Sequence, residues 1–274
     1  MRLNGGRERR ALGCPERSGP MKVKDISSRE NPTYRSFSRL LRTSGIRKQE
    51  RALLTGPKPV QEVLRDYPDQ CVGILWEQGT SPPHGSLSEG IRGYRLAPAL
   101  FRELDIHGTH QPLLLVHAPH PPSWDPEQYR PGCTLFVPFQ DPANVGAVVR
   151  SAAAFGVARV VLLKEAAHVF HPKSVRAAGS AVFRVTLEQG PSIQEMGGGA
   201  LPMLALDPEG EDIGRFHFPE AFGLLPGMEG PGLPNELEVQ TTLAVPMVKG
   251  TESLNAALAA GIALYVWRSR AGPL

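Results

Sequence analysis

The chain has 274 residues, 41% hydrophobic and 21% charged, with a net charge of +3. That apolar content is enough for an ordinary core, which excludes wholesale disorder, and the length suits two domains or one large one. The longest apolar run, Ala256 to Trp267, falls well short of the ~20 residues a spanning helix needs, and no apolar stretch follows the basic start, so neither a membrane span nor a secretory signal is expected. Cys14, Cys71 and Cys133 are too few and too far apart for a disulfide framework or a Cys-based zinc site, which points to a reducing cytoplasm.

The charge is unevenly placed. Residues 1–51 hold 14 Lys/Arg against 5 Asp/Glu, and the remainder holds 16 against 22. A basic arm on a mildly acidic body suggests an anionic partner, with nucleic acid the first candidate and a solvated tail the alternative. Residues 1–20 have no periodicity and are expected to form a disordered basic leader.

From Asn31 the pattern becomes helical. Pro32 suits a first turn, and Tyr34, Phe37, Leu40 and Leu41 fall at helical spacing. Ala52–Thr55 is a short apolar run, Pro57–Asp66 is predicted helical, and Cys71–Trp76 is predicted as a strand. After a loop at Pro82–Gly85, the segment Tyr94–Leu96, a helix over Pro98–Leu104 and a strand over Leu113–His117 complete a small α/β unit, residues 21–118. Four prolines then occur between Ala118 and Pro126. They place a linker at residues 119–132, because proline can continue neither helix nor strand bonding.

From Cys133 strands and helices alternate, the pattern of an α/β domain with a mainly parallel sheet, residues 133–274. Thr134–Val137 and Arg159–Leu163 are predicted as buried strands around a helix from Asn144 to Phe155. A helix after Pro172 follows, then strands near Phe183–Leu187, Pro202–Leu206, Phe222–Leu225 and Thr242–Val245, and a helix from about Glu252 to Trp267. Gly197–Gly199 is expected to be a flexible loop tip.

Motifs for a serine elbow, a phosphate loop or a zinc protease are absent. The pairs His107/His110, His117/His120 and His168/His171 lack a completing Cys or carboxylate, so no metal is expected. Three loops stand out instead, each following a strand, where α/β sheets bind ligands. They are Asp141 to Gly156 with Asn144 and Arg150, Leu225 to Leu233 with Gly227 and Glu229, and Val245 to Ala256 with Ser253, Leu254 and Asn255. In the second, the glycines suggest backbone in close approach to a ligand, and Gly227 is a candidate for positive φ.

At these residues the chain resembles the SpoU/TrmH-type RNA ribose 2'-O-methyltransferases of the SPOUT superfamily. The Asn-x-Gly-x-x-x-Arg helix, the Gly-x-Glu-Gly-x-Gly loop and the Pro-Met…Ser-Leu-Asn end stand in the family's order. Pro226, and Ala256-Ala257 where the family often has Val-Ser, are departures. The N-terminal unit is similar, through Ile26–Pro32 and Thr55–Leu64, to the L30e-like substrate-binding domain of ribosomal-RNA members. The resemblance implies a C-terminal domain tied in a trefoil knot, a homodimer, and S-adenosylmethionine bound in the knot. It also implies cofactor contacts from Gly227, Val245, Leu254 and Leu206, and a catalytic, RNA-facing cluster of Asn144, Arg150, Glu229, Ser253 and Asn255. The expected activity is methylation of a ribose 2'-hydroxyl, most readily in ribosomal RNA. Transfer RNA as substrate and an inactive RNA-binding homologue are the alternatives.

Overall fold

The computed structural model describes residues 21–81, 90–196, 201–228, 239–248, 250 and 253–270. The leader 1–20, the loop at Pro82–Gly85, the Gly197–Gly199 tip and Glu229 lie outside them.

In the N-terminal unit, β1 (Val23–Ile26), α1 (Pro32–Arg39), α2 (Thr43–Gln49), β2 (Arg51–Leu54), α3 (Pro57–Asp66), β3 (Cys71–Glu77), β4 (Arg92–Leu96), α4 (Pro98–Leu104) and β5 (Leu113–His117) follow one another. The strands make a five-stranded sheet in the order β1-β4-β3-β5-β2. Helix α1 starts where the sequence signals it: Asn31 accepts from the Thr33 amide, and Pro32 costs nothing at a position whose amide has no helical partner. Its buried Phe37 meets Tyr94 of β4 edge-on at 4.9 Å between ring centres. Sequence periodicity misses β1 and α2, because each carries only one large buried apolar side chain, Ile26 and Ile46.

The second sheet is wholly parallel. Its elements are β6 (Gly132–Val137), α5 (Pro142–Phe155), β7 (Arg159–Leu162), α6 (Pro172–Ala178), β8 (Leu187–Gln189), β9 (Met203–Asp212), β10 (Ala221–Leu225), β11 (Thr241–Ala244) and α7 (Ala256–Arg270). The order is β11-β9-β10-β6-β7-β8. Strand β10 is thus inserted between β9 and β6, and the last strand closes the far edge. The central strands β6, β7 and β10 are buried on both faces and apolar except for Thr134 and Arg159, as a doubly covered parallel sheet requires.

The strand expected near Phe183–Leu187 is a correction. Gly179–Phe183 form a 3-10 turn, and only Leu187–Gln189 pair with β7. Phe183 is apolar for a different reason: its ring packs between Tyr67 at 5.8 Å and Phe170 at 6.1 Å. The last helix begins at Ala256, because Asn255 caps it: its side-chain oxygen accepts from the Leu258 amide at 3.0 Å.

The two units share a core. Leu54, Val60, Val63 and Val116 of the first belong to the same buried cluster as Val148, Val175 and Val182 of the second. The proline-rich stretch between them is tied down too. The Gln189 amide donates to the Pro122 carbonyl at 2.8 Å, and the Trp124 amide donates to the Gln189 carbonyl at 2.8 Å, so the stretch lies along the edge of β8.

Candidate active site

The carboxyl ends of β10 and β11 and the middle of β9 converge on a cavity of about 330 Å3. Each wall comes from a short sequence with a structural reason. Along β11, the partner residue on β9 jumps from Ala205, opposite Thr242, to Glu211, opposite Leu243. The residues between, Leu206 to Gly210, therefore leave the ladder, and Leu206, Asp207 and Pro208 face the cavity. Pro208 has no amide to give a ladder, and the Asp207 carboxylate turns the chain by accepting from the Glu209 amide at 2.8 Å. Gly210 lets β9 rejoin β11: a Cβ there would stand 2.6 Å from the backbone of Thr242 and Leu243.

The second wall is Pro226, Gly227 and Met228, directly after β10, and the third is Val245 and Met247 after β11. Ser253, Leu254 and Ala256 close the site at the start of α7. All four residues assigned to the cofactor by resemblance, Leu206, Gly227, Val245 and Leu254, thus line one cavity. Gly227 is not in the left-handed region, which corrects the positive φ expected from the sequence. Among the described residues, a Cβ on it would meet only the Leu206 carbonyl oxygen, at an ordinary 3.5 Å, so their packing does not demand glycine there.

Of the polar cluster, Ser253 lines the cavity, and Asn255 reaches from the head of α7 to α5, donating from Nδ2 to Asn144 Oδ1 at 3.1 Å. Two residues 111 apart in the chain are joined this way. Arg150 stands elsewhere. It is exposed, six residues past Asn144, which is ~240° around an α-helix, and it lines a different groove with Arg176 and Arg184. Glu229 lies outside the described residues.

Gly146, the glycine of the first motif, has a packing role. A Cβ on it would come 2.2 Å from the Ser174 carbonyl oxygen, so α5 and α6 can touch only through bare backbone. The histidine pair His168 and His171 also serves local structure. Each Nδ1 accepts a backbone amide two residues on, from Phe170 and Lys173, both at 3.2 Å. Among the described residues, no group of three or more His, Cys, Asp or Glu side chains is placed to hold a metal ion. What sequence reasoning missed is the Leu206–Gly210 excursion. The Asp207-Pro208-Glu209-Gly210 run is its signal, a turn sequence inside an apolar strand.

Comparison with known proteins agrees with this architecture. Residues 134–265 match the SpoU rRNA Methylase family. Over 248 residues the chain is 51% identical to "Ribosomal RNA small subunit methyltransferase G 2" of Syntrophobacter fumaroxidans, which covers 90% of this chain and 49% of that protein. The chain therefore spans about half the length of that relative. It is 28% identical over 250 residues to the 23S rRNA (guanosine(2553)-2'-O)-methyltransferase RlmP of Bacillus subtilis, covering 89% of this chain and 98% of that one. Among solved structures, the SpoU methyltransferase AviRb of Streptomyces viridochromogenes with AdoMet superposes with a TM-score of 0.71 at 23% identity. That match covers 88% of this chain and 99% of that one. Residues 134–265 of the chain thus carry a SpoU rRNA Methylase family domain.

Proposed function

We propose that the protein transfers a methyl group from S-adenosylmethionine to a ribose 2'-hydroxyl in RNA, with ribosomal RNA as the substrate. The observation that carries this reading is the cavity between the middle of β9 and the ends of β10 and β11, where Leu206, Gly227, Val245 and Leu254 come together. Its chemistry fits the cofactor. Leu206, Leu243, Val245 and Leu254 offer an apolar slot for an adenosine, while Asp207 and Ser253 supply polar groups at its edge. Gly227 leaves backbone uncovered at a place where the packing of the described residues would accept a side chain, as a site for close ligand approach does.

The bound cofactor supplies an electrophilic methyl on a sulfonium, so no metal is needed to activate it. The chain must bring an oxygen into line and accommodate its charge as the proton leaves. Such alignment can supply on the order of 7–11 kcal/mol in favourable cases. Ser253 and the Asn144–Asn255 pair sit beside the cavity and can hold the ribose by hydrogen bonds. A guanidinium offers only N–H donors, so Arg150 serves as a fork for RNA phosphate rather than as a base.

Two further features belong to the same reading. The insertion of β10 between β9 and β6, with β11 outside β9, supports a knotted path for the C-terminal segment. An exposed stripe on α7, Leu258 and Tyr265, seven residues apart at 54% and 59% exposure, supports a homodimer packed through that helix. The protein acts in the cytoplasm, where ribosomal RNA is processed, and no helix of the described residues is long and apolar enough to cross a membrane. The N-terminal unit, residues 21–118, serves RNA capture. Calorimetric titration with S-adenosylmethionine tests the reading: saturable 1:1 binding per chain is expected, and a folded protein that fails to bind would favour the inactive RNA-binding homologue.

A further inference from the structure

Arg150 does not stand alone. It lines a groove of about 280 Å3 with Lys58, Glu62, Arg176, Ser180 and Arg184. The four cations come from four places in the chain: the first turn of α3, the middle of α5, the last turn of α6 and the residue after the 3-10 turn. One carboxylate lines the groove with these four cations, and Asp66, itself paired with Arg65, acts on Arg184 from outside it; like charges so gathered repel one another unless something anionic lies among them. The groove's own acid is already engaged. Glu62 Oε2 accepts the Ser180 hydroxyl, and Oε1 stands 3.9 Å from Lys58. The side chains of Arg150 and Arg176 make no hydrogen bond or ion pair among the described residues.

The groove is also rigid and spans both units. Gly179, at φ +61°, brings the 3-10 turn onto α3, where a Cβ would touch Pro59 at 3.4 Å. A guanidinium nitrogen of Arg176 stands 3.4 Å from where a Cβ on Gly56 would be, so this α6 side chain rests on N-terminal backbone. Ser180 and Glu62 close the seam in between. Ala153 and Ala181 line it as well and leave room beneath the charges. Three guanidinium groups and an ammonium, all exposed along one groove, match a chain of phosphodiesters better than a single anion.

We infer that this groove holds the phosphodiester backbone of the RNA substrate beside the target nucleotide, with Lys58, Arg176 and Arg184 as phosphate contacts continuing the line from Arg150. The inference rests on the functional reading above. It gives the N-terminal unit a defined part, because Lys58 completes the row.

The test is the full chain carrying K58Q/R176Q/R184Q, all exposed positions whose neutralisation leaves the core intact. Affinity for an in vitro transcript of bacterial ribosomal RNA is measured by fluorescence anisotropy from 50 to 300 mM salt, with S-adenosylmethionine affinity measured in parallel. The expected result is RNA affinity weaker by at least tenfold, a log–log salt slope smaller by about two to three, and unchanged cofactor affinity. In methyl transfer, KM for RNA rises while kcat at saturating RNA stays within a few-fold. The charge-retaining R176K/R184K should bind within a few-fold of wild type. A triple variant that keeps wild-type affinity and slope, while the wild type binds and methylates RNA, overturns the groove alone, as does an R176K/R184K variant as weak as the neutral one. A wild type that binds neither cofactor nor RNA overturns the functional reading itself. Displacement by polyglutamate but not by RNA would overturn the RNA assignment in favour of an acidic protein partner.

Discussion

Gly227 shows how a single residue separates ligand from fold. Its backbone is not left-handed, and the nearest non-neighbouring atom among the described residues leaves space for a methyl group, so their packing accepts a side chain there. Gly227 also lines the cavity, so a branched side chain there is expected to take space from the slot proposed for the cofactor. Gly227→Val is therefore expected to keep its circular dichroism and melting temperature while S-adenosylmethionine affinity falls at least tenfold, about 1.4 kcal/mol or more. Unchanged affinity in the folded variant would remove this loop from the site. Arg150 gives the opposite separation. It lies outside the cavity, so Arg150→Ala should leave cofactor affinity within a few-fold of wild type; as a member of the RNA-facing cluster proposed for catalysis, its loss should abolish methyl transfer. Retention of more than about a tenth of the activity contradicts that role.

Among the elements, the start of α7 joins fold and site. Asn255 caps the helix through Oδ1 and holds Asn144 through Nδ2. Asn255→Asp keeps the cap but loses the donor, whereas Asn255→Ala loses both, at about 1 kcal/mol for the cap. Thermal melts should show destabilisation in the alanine variant, and transfer assays should show loss of activity in both; an active aspartate variant would mean the Asn144 contact is dispensable. The segment before α6 carries a pH dependence. Burial, with Arg47, His120 and His171 nearby, pushes the His168 imidazole down to about 4 from an ordinary 6.5. The fold therefore favours the neutral ring, and stability present above pH 6.5 drains away as pH falls towards 4. His168→Asn, which can still accept the Phe170 amide, should flatten the fall in melting temperature between pH 7 and 4.5; an unchanged fall assigns it to other groups. Much of this was legible in the sequence, since strand ends, glycines and caps leave local signatures, as Asp141 to Arg150 and Ser253 to Asn255 do. The remainder was not, because it depends on contacts remote in the chain. Nothing near Arg150 in sequence shows that it joins Arg176 and Arg184 rather than Ser253, and nothing near Phe183 shows that its ring is held by Tyr67 instead of a strand partner.

For the whole molecule, the shared core makes the two units interdependent. Deleting residues 1–118 would expose Val175 and Val182 to water, so point variants isolate functions better than truncation. The homodimer can be tested without disturbing that core. Tyr265 is 59% exposed on α7, and Tyr265→Glu places a charge in the proposed interface. Sedimentation velocity should find the wild type dimeric and the variant shifted to monomer; equal sedimentation of the two would move the interface elsewhere. The central claim is that the methyl group goes to a ribose 2'-oxygen, and alkali reads that directly, because a 2'-O-methyl blocks the neighbouring-group attack that cleaves RNA. Ribosomal RNA labelled by the protein with methyl-tritiated S-adenosylmethionine is hydrolysed in base and separated by charge. The account expects the label in alkali-resistant dinucleotides; label confined to mononucleotides, which marks methylation of a base, or no label at all, would contradict it.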